Sequence, residues 1–303
     1  GVGEAILNFF PQEEQRYFRT FVRFLGASRS RKVPPAAPSK LASVYSAVYR
    51  GEPEARLLVL GDGPLQELVV EESEPPFDLG SERQQLADLA CQRLRERGQV
   101  VRPDPVYRLL SWSTEGKFTL RTQRGDYSQV VGTKSHPEWG LKAQVLAVCC
   151  ALECPQGIVI EQRSARVAAL PGKWHIAPSG SLQPPQRPWQ TLLTEAREEL
   201  GLEPSELEQV RCLGMLYGER SGVYQLACSA RTAVSFESIL ARRRSGAWEQ
   251  DGFVCAPVCP QALPRWIADH LEQLSRGGRA VLWAEGRRRW GADWFEAQCE
   301  DRP

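Results

Sequence analysis

Apolar positions near the start of the chain recur at helical spacing. In "PQEEQRYFRTFVRFLG", Phe18, Phe21, Val22 and Leu25 share one face, which predicts a helix. "GASRSRKVPPAAPSK" follows as a Ser/Pro/basic connector, with Arg29, Arg31 and Lys32 read as solvated linker charge. "ARLLVLGDGPLQELVVEE" then reads as two short strands around a Gly-Asp-Gly-Pro turn, a hairpin signal. "SERQQLADLACQRLRERG" predicts a helix with a Ser cap, apolar residues at 86, 89, 90 and 94, and a closing glycine. "PVYRLLSWS" and "KFTLRTQRG" read as paired strands. The chain to about residue 138 thus predicts a linker-bearing N-terminal segment (1–50) and a small α+β module (51–138).

From about residue 139 the pattern is that of a mixed α/β domain. "LKAQVLAVCCALE" and "QGIVIEQRS" are buried-type strands, and "KWHIAPSG" is a third that enters a glycine turn. "WQTLLTEAREELG" is a helix, with Trp189, Leu192, Leu193, Ala196 and Leu200 on its core side. Strands "VRCLGMLYGE", "GVYQLACSA" and "DGFVCAPV" follow, with helices over "SFESILARRRS" and "LPRWIADHLEQL". Residues 281–303 predict a helical tail whose Trp283, Trp290, Trp294 and Phe295 dock on the body, a dimer surface being the other reading.

Composition narrows the classes. The chain has 303 residues and a formal net charge of +1, so no global field steers it toward nucleic acid or a membrane surface. No apolar run approaches the roughly 20 residues that span a bilayer, and "GVGEAILNFF" lacks the pattern of a signal peptide. Nine cysteines, an odd number, sit in a chain large enough to need no disulfide staples. "CCALEC" and "CAPVC" contain no C-x2-C pair, so buried thiols in a reducing cytoplasm are expected instead of a zinc site.

The candidate chemistry lies in "TEAREELGL", residues 194 to 202. On a helix, Glu195 neighbours Glu198 and Glu199 at spacings of three and four. These like charges repel by roughly a few tenths of a kcal/mol per pair, and they crowd the helix C-terminus, where the macrodipole disfavours carboxylates. A solvated helix end is one reading. A site for Mg2+ or Mn2+, hard cations that take carboxylate oxygens, is the other. The stretch before it, "LPGKWHIAPSGSL", is a strand that ends in a glycine loop, with Gly180 15 residues before Glu195.

Residues 180 to 202 resemble the Nudix box, G-x5-E-x7-R-E-U-x-E-E-x-G-U, where U is bulky and apolar. Gly180, Glu195, Glu198, Glu199 and Gly201-Leu202 fall in register. "PGKWHIAPSG" resembles the family's approach to the box, and "FVCAPVCPQALPRWI" its last strand and helix. The departures are Gln186 for a glutamate, Thr194 for an arginine and the small Ala196. The resemblance implies a Nudix-type α/β/α sandwich with a mixed sheet over residues 139–280. It also implies a pyrophosphohydrolase acting on a small nucleoside diphosphate linked to another moiety. In that reading Gly180, Glu195, Glu198 and Glu199 are the metal ligands, and Glu195 and Glu199 carry the catalysis. Glu249 is the expected later-loop acid, with Asp251 and Glu219 as rivals, and Arg163 and Arg166 are the candidates to grip phosphate, a solvated loop being the other reading. Trp174 and His175 are expected to be structural. Tyr127, Gly132 and Thr133 are similar to a Y-x5-G-T stretch of Nudix enzymes acting on nucleotide sugars; a seal between modules is the other reading. A nucleotide-binding module without turnover is the alternative function.

Overall fold

Residues 145–152 are apolar on both alternating sets of positions, the pattern of a strand buried on two faces, and residues 226–230 are small or apolar throughout. They lie in strands β6 (Val145–Cys154) and β11 (Val223–Arg231), which pair in parallel at the centre of one sheet. The computed structural model describes residues 46–52, 55–101, 104–167, 170–219, 221–242 and 250–300. The helix expected over residues 11–26, its basic connector and Glu249 lie outside the described residues.

Beyond β11 the sheet continues through β10 (Glu208–Gly218), β2 (Ala55–Pro64) and β1 (Ser46–Glu52), each antiparallel to its neighbour. On the other side, β6 meets β4 (Pro105–Ser113), then β5 (Thr119–Asp126) and β3 (Val69–Ser73). The segment expected as a leading module therefore supplies strands to both sides of the sheet. β7 (Gly157–Arg163) pairs with β6 only at Glu153↔Ile158 and Cys154↔Gly157. It then departs, carrying β8 (Trp174–Ile176) and β12 (Gln250–Ala256) with it. β9 (Ser179–Ser181) pairs with β6 along Ala147–Cys149.

Helices cover both faces of the sheet. Leu146, Val148, Cys150 and Leu152 of β6 pack against Leu192, Ala196 and Leu200 of helix α3 (Pro188–Leu200). Cys149 and Ala151 face helices α5 (Ala262–Asp269) and α6 (Arg276–Trp290) through Leu263, Ile267, Val281 and Leu282. The fold is an α/β/α sandwich on a mixed sheet. Helix α6 is capped by Ser275, whose Oγ accepts the Gly278 N–H at 3.0 Å. The expected tail is α6 followed by α7 (Ala292–Glu300), with Phe295 buried and Trp283, Trp290 and Trp294 packed on the second core. The remaining helices are α1 (Ser81–Glu96), α2 (Tyr127–Ser135) and α4 (Phe236–Arg242). No helix among the described residues is long and apolar enough to cross a membrane.

Two expectations are corrected. Residues 55–72 are not a hairpin: β2 runs straight through Gly61-Asp62-Gly63-Pro64, and β3 pairs in parallel with β5 instead. The glycine segment stays extended because β10 holds it, with Cys212↔Gly63 and Arg211↔Pro64 in register and Arg211 bonded to Asp62. The face buried by α1 also differs. Leu86 and Leu89 are exposed, whereas Ala87, Ala90 and Cys91 are buried. A Cβ on Gly132 of α2 would come within 3.1 Å of the Ala87 backbone, so the two helices approach through small residues.

Candidate active site

Helix α3 begins with Pro188 in its first turn, where a missing N–H costs nothing. It ends at Gly201, whose φ of 66° is the left-handed conformation that lets Leu202 N–H reach back to the Ala196 carbonyl at 3.2 Å. This stop fixes the end of the helix, whose Glu199 and Glu195 lie against Ser179 and Gly180 of β9. Pro178 accepts the Cys150 N–H at 3.0 Å, which ties the β8–β9 connection to the centre of β6.

The three glutamates sit in three different environments. Glu199 is buried, and its Oε2 accepts the Ser179 backbone N–H at 3.0 Å. Its Oε1 is also buried and has no hydrogen-bond partner among the described residues. Glu195 is half-buried and lies against Gly180: a Cβ there would come within 2.7 Å of the Glu195 Cγ and nearer still to its carboxylate. Glycine at 180 is therefore a matter of space for a carboxylate. Glu198 is exposed to solvent. The single shared face expected from the helical spacing is thus spread, by burial, from the interior to the rim.

A fourth carboxylate belongs to the group. Glu161 of β7 is fully buried and takes an ion pair from Arg163 at 2.9 Å. Burial raises the Glu199 pKa well above the usual carboxylate range, and the charges of Glu161 and Glu195 raise it further; the Ser179 N–H and Arg163 oppose this. Arg163, expected as a phosphate contact, is in this structure the counter-charge of Glu161, and Arg166 is an exposed residue of the following turn. Gln186 accepts the Thr191 hydroxyl at 3.1 Å, so it steadies the start of α3. Of the rival acids, Asp251 is exposed on β12, and Glu219 is engaged by Arg56 and Lys142.

Behind the carboxylates lies a buried polar chain. His175 of β8 contacts Cys149 Sγ through Nε2 at 3.4 Å and Ser275 Oγ through Nδ1 at 2.5 Å. Burial, with a smaller contribution from Arg163, lowers its pKa to about 3, so the imidazole is neutral near pH 7. That matches the structural role expected for it and links α3's partners to the capped end of α6. The Tyr127, Gly132 and Thr133 stretch is helix α2, where Gly132 packs on Ala87 and the Thr133 hydroxyl donates to the Val130 carbonyl at 3.0 Å.

Sequence reasoning missed Glu161. The signal was there: an acid directly after four apolar residues in "GIVIEQR", inside a strand read as buried, requires a partner or a role. The union of Ser275 with His175, 100 residues apart, left no comparable trace.

The donors are hard carboxylate oxygens, one of them buried and without a bond, which is the chemistry a small divalent cation takes. Among the described residues no three His, Cys, Asp or Glu side chains are already gathered closely enough to hold a metal. Two pockets, of ≈ 560 and ≈ 450 Å³, open elsewhere on the surface, and α3's glutamates line neither.

No family model matches the chain, and no curated protein matches it. Solved structures similar to it include the MutT protein of Methanosarcina mazei Go1, at 15% identity over 48% of this chain and 95% of that one, with a TM-score of 0.36. A C. elegans Ap4A hydrolase binary complex is similar at 18% identity over 48% and 97%, with a TM-score of 0.34. A NUDIX hydrolase from Nitrosomonas europaea follows at 17% over 48% and 73%, with a TM-score of 0.32.

Proposed function

We propose that the chain is a metal-dependent pyrophosphohydrolase of the Nudix kind. Its substrate is a nucleoside diphosphate linked to another moiety, a nucleotide sugar being the first to test, and its compartment the reducing cytoplasm. The observation that carries this reading is the Glu199 carboxylate, held by Ser179 N–H through one oxygen while the other is buried and unbonded beside Glu161. Burying a carboxylate in that state costs several kcal/mol unless a proton or a cation joins it.

Glu199 and Glu195, with the Gly180 carbonyl and the rim residue Glu198, are the residues that would hold Mg2+ or Mn2+. A cation there would neutralise charge on the bridging phosphates and lower the pKa of a bound water. Glu195 lies against Gly180, which has no side chain to displace it, and would be a further ligand or help position the attacking water. Glu161 holds Arg163 beside the carboxylates, where its guanidinium moderates their mutual repulsion. His175 is neutral and bonded at both nitrogens, so it acts as a strut and not as the general base.

The rival reading is a nucleotide-binding module without turnover, favoured by the solvent-facing Glu198 and by Gln186 being spent on Thr191. Phosphate release, coupled to an added phosphatase, separates the two. The panel is nucleotide sugars, ADP-ribose, dinucleotides and nucleoside triphosphates, with Mg2+ and then Mn2+. Turnover of a panel member that disappears in a Glu198→Gln, Glu199→Gln double variant is the expected result. A flat panel with both metals, with metal binding also absent by calorimetry, makes the binding module the better reading.

A further inference from the structure

Arg108 of β4 is 6% exposed, yet among the described residues it has no acid partner. Its Nε donates to the Ala143 carbonyl at 3.1 Å, Nη1 to Gln123 Oε1 at 3.2 Å, and Nη2 to the Lys142 carbonyl at 3.3 Å and to Gln144 Oε1 at 3.1 Å. Its guanidinium carbon lies 3.4 Å from the centre of the Phe77 ring. All of these partners are neutral. A guanidinium has five N–H donors, so one N–H of Nη1 remains. Desolvation brings the Arg108 pKa down to about 10, the mark of a buried cation whose charge is not answered.

This residue lines the ≈ 450 Å³ pocket, together with Lys142, Gln144, Tyr217, Glu219 and Tyr224. Lys142 stands at the rim, with its Nζ 3.5 Å from Glu219 and 5.6 Å from the centre of the Tyr217 ring. Glu219 divides its charge between Lys142 and Arg56, at 3.5 and 3.4 Å. Lys142 and Arg108 against Glu219 leave the pocket lining with an excess of positive charge. Gln144, which supports Arg108, has a φ of 53°, a left-handed conformation that costs a residue with a side chain energy. Strain, an unanswered buried cation and a concave opening thus coincide at one place. The tyrosine rings are 4.5 Å apart and form one wall.

We propose that this pocket binds a phosphate group, with Arg108 as the buried cation beneath it and Lys142 closing over it from the rim. The place is distinct from the carboxylates of α3. It lies where β4 meets β6 at Arg108↔Val145, whereas Gly180 faces Val148 further along β6. Free phosphate and the phosphate of an organic monoester share this chemistry. The tyrosine wall offers a ring-bearing monoester a further contact that inorganic phosphate lacks.

The test is calorimetric titration of the full chain with inorganic phosphate and, separately, adenosine 5′-monophosphate, in EDTA so that no divalent metal takes part. One-to-one binding of at least one probe is expected, weakened about tenfold or more in Lys142→Ala and lost in Arg108→Gln. Tighter binding of the nucleotide than of inorganic phosphate marks an organic monoester site, and equal binding a free-phosphate site. Because Arg108 also holds backbone carbonyls, Lys142→Ala decides the matter if Arg108→Gln does not fold. Glu199→Gln should bind both probes as the unaltered chain does, whether or not the chain is a hydrolase. Silence with both probes, unchanged binding in Lys142→Ala, or loss of binding in Glu199→Gln overturns the proposal.

Discussion

Glu199 accepts the backbone N–H of Ser179 at 3.0 Å, across the gap between the last turn of α3 and the start of β9. That bond joins the two halves of the candidate site, 20 residues apart in the chain, and leaves the other Glu199 oxygen buried without a bond. Replacing Glu199 with Gln keeps an acceptor for Ser179 and removes the charge that Glu161 and Glu195 oppose. The variant should be as stable as the unaltered chain or more so near pH 7, while turnover falls by two orders of magnitude or more. Urea unfolding alongside the phosphate-release assay reads both.

Gly180→Ala should be damaging out of proportion to one methyl group. The new Cβ would overlap the Glu195 carboxylate, so either Glu195 leaves its place or β9 moves. Overpacking of this kind typically costs about 1–3 kcal/mol. Thermal unfolding should show that loss, and Gly180→Ala combined with Glu195→Ala should recover most of it.

Acid stability should carry the signature of His175. The ring is held neutral in the fold, with a pKa of about 3 against 6.5 when unfolded. Between those values the unfolded chain binds the extra proton, so stability falls as pH drops below about 6.5, by up to ~1.4 kcal/mol per pH unit. Glu199 acts with the opposite sign. Its raised pKa means the fold holds a proton that the unfolded chain releases, so its contribution declines as pH rises above 4.5. In chemical denaturation from pH 4.5 to 6.5, His175→Gln should flatten the loss on the acid side. Glu199→Gln should steepen it.

Glu285 of α6 is fully buried and serves Arg288 at 2.7 Å and Arg289 at 2.6 Å. Arg289 also reaches Glu153 at 2.6 Å, which ties α6 to the end of β6. Glu285→Ala leaves two largely buried guanidinium groups short of a partner and should cost about 3–5 kcal/mol. Urea midpoints measure this, and a double variant with Arg289→Ala should lose less than the sum of the singles.

Much of this architecture was legible in the sequence, because burial leaves a periodic trace. β6 announced itself by an unbroken apolar run from Val145 to Leu152, β11 by the small and apolar run Leu226 to Ala230, and α3 by Leu192, Ala196 and Leu200 on one stripe with Gly201 to end it. What failed was decided by partners distant in the chain. Gly61-Asp62-Gly63-Pro64 carries local turn chemistry, but β10 and the Arg211–Asp62 pair hold it extended. Leu86 and Leu89 have the periodicity of a core face, but Gly132 offers its space to Ala87. In the site, spacing located Glu195, Glu198 and Glu199 on one turn and said nothing of depth. Only the path of β7 reveals that Glu161 lies beside Glu199 and that Arg163 is occupied by it.

Binding of Mn2+ to the full chain, read by loss of the free-ion paramagnetic resonance signal, tests the central claim most directly. Saturable binding in the unaltered chain that disappears in Glu199→Gln, with the variant folded by circular dichroism, is the result expected of a cation site at these carboxylates. Equal binding in both proteins, or none in either, would contradict it.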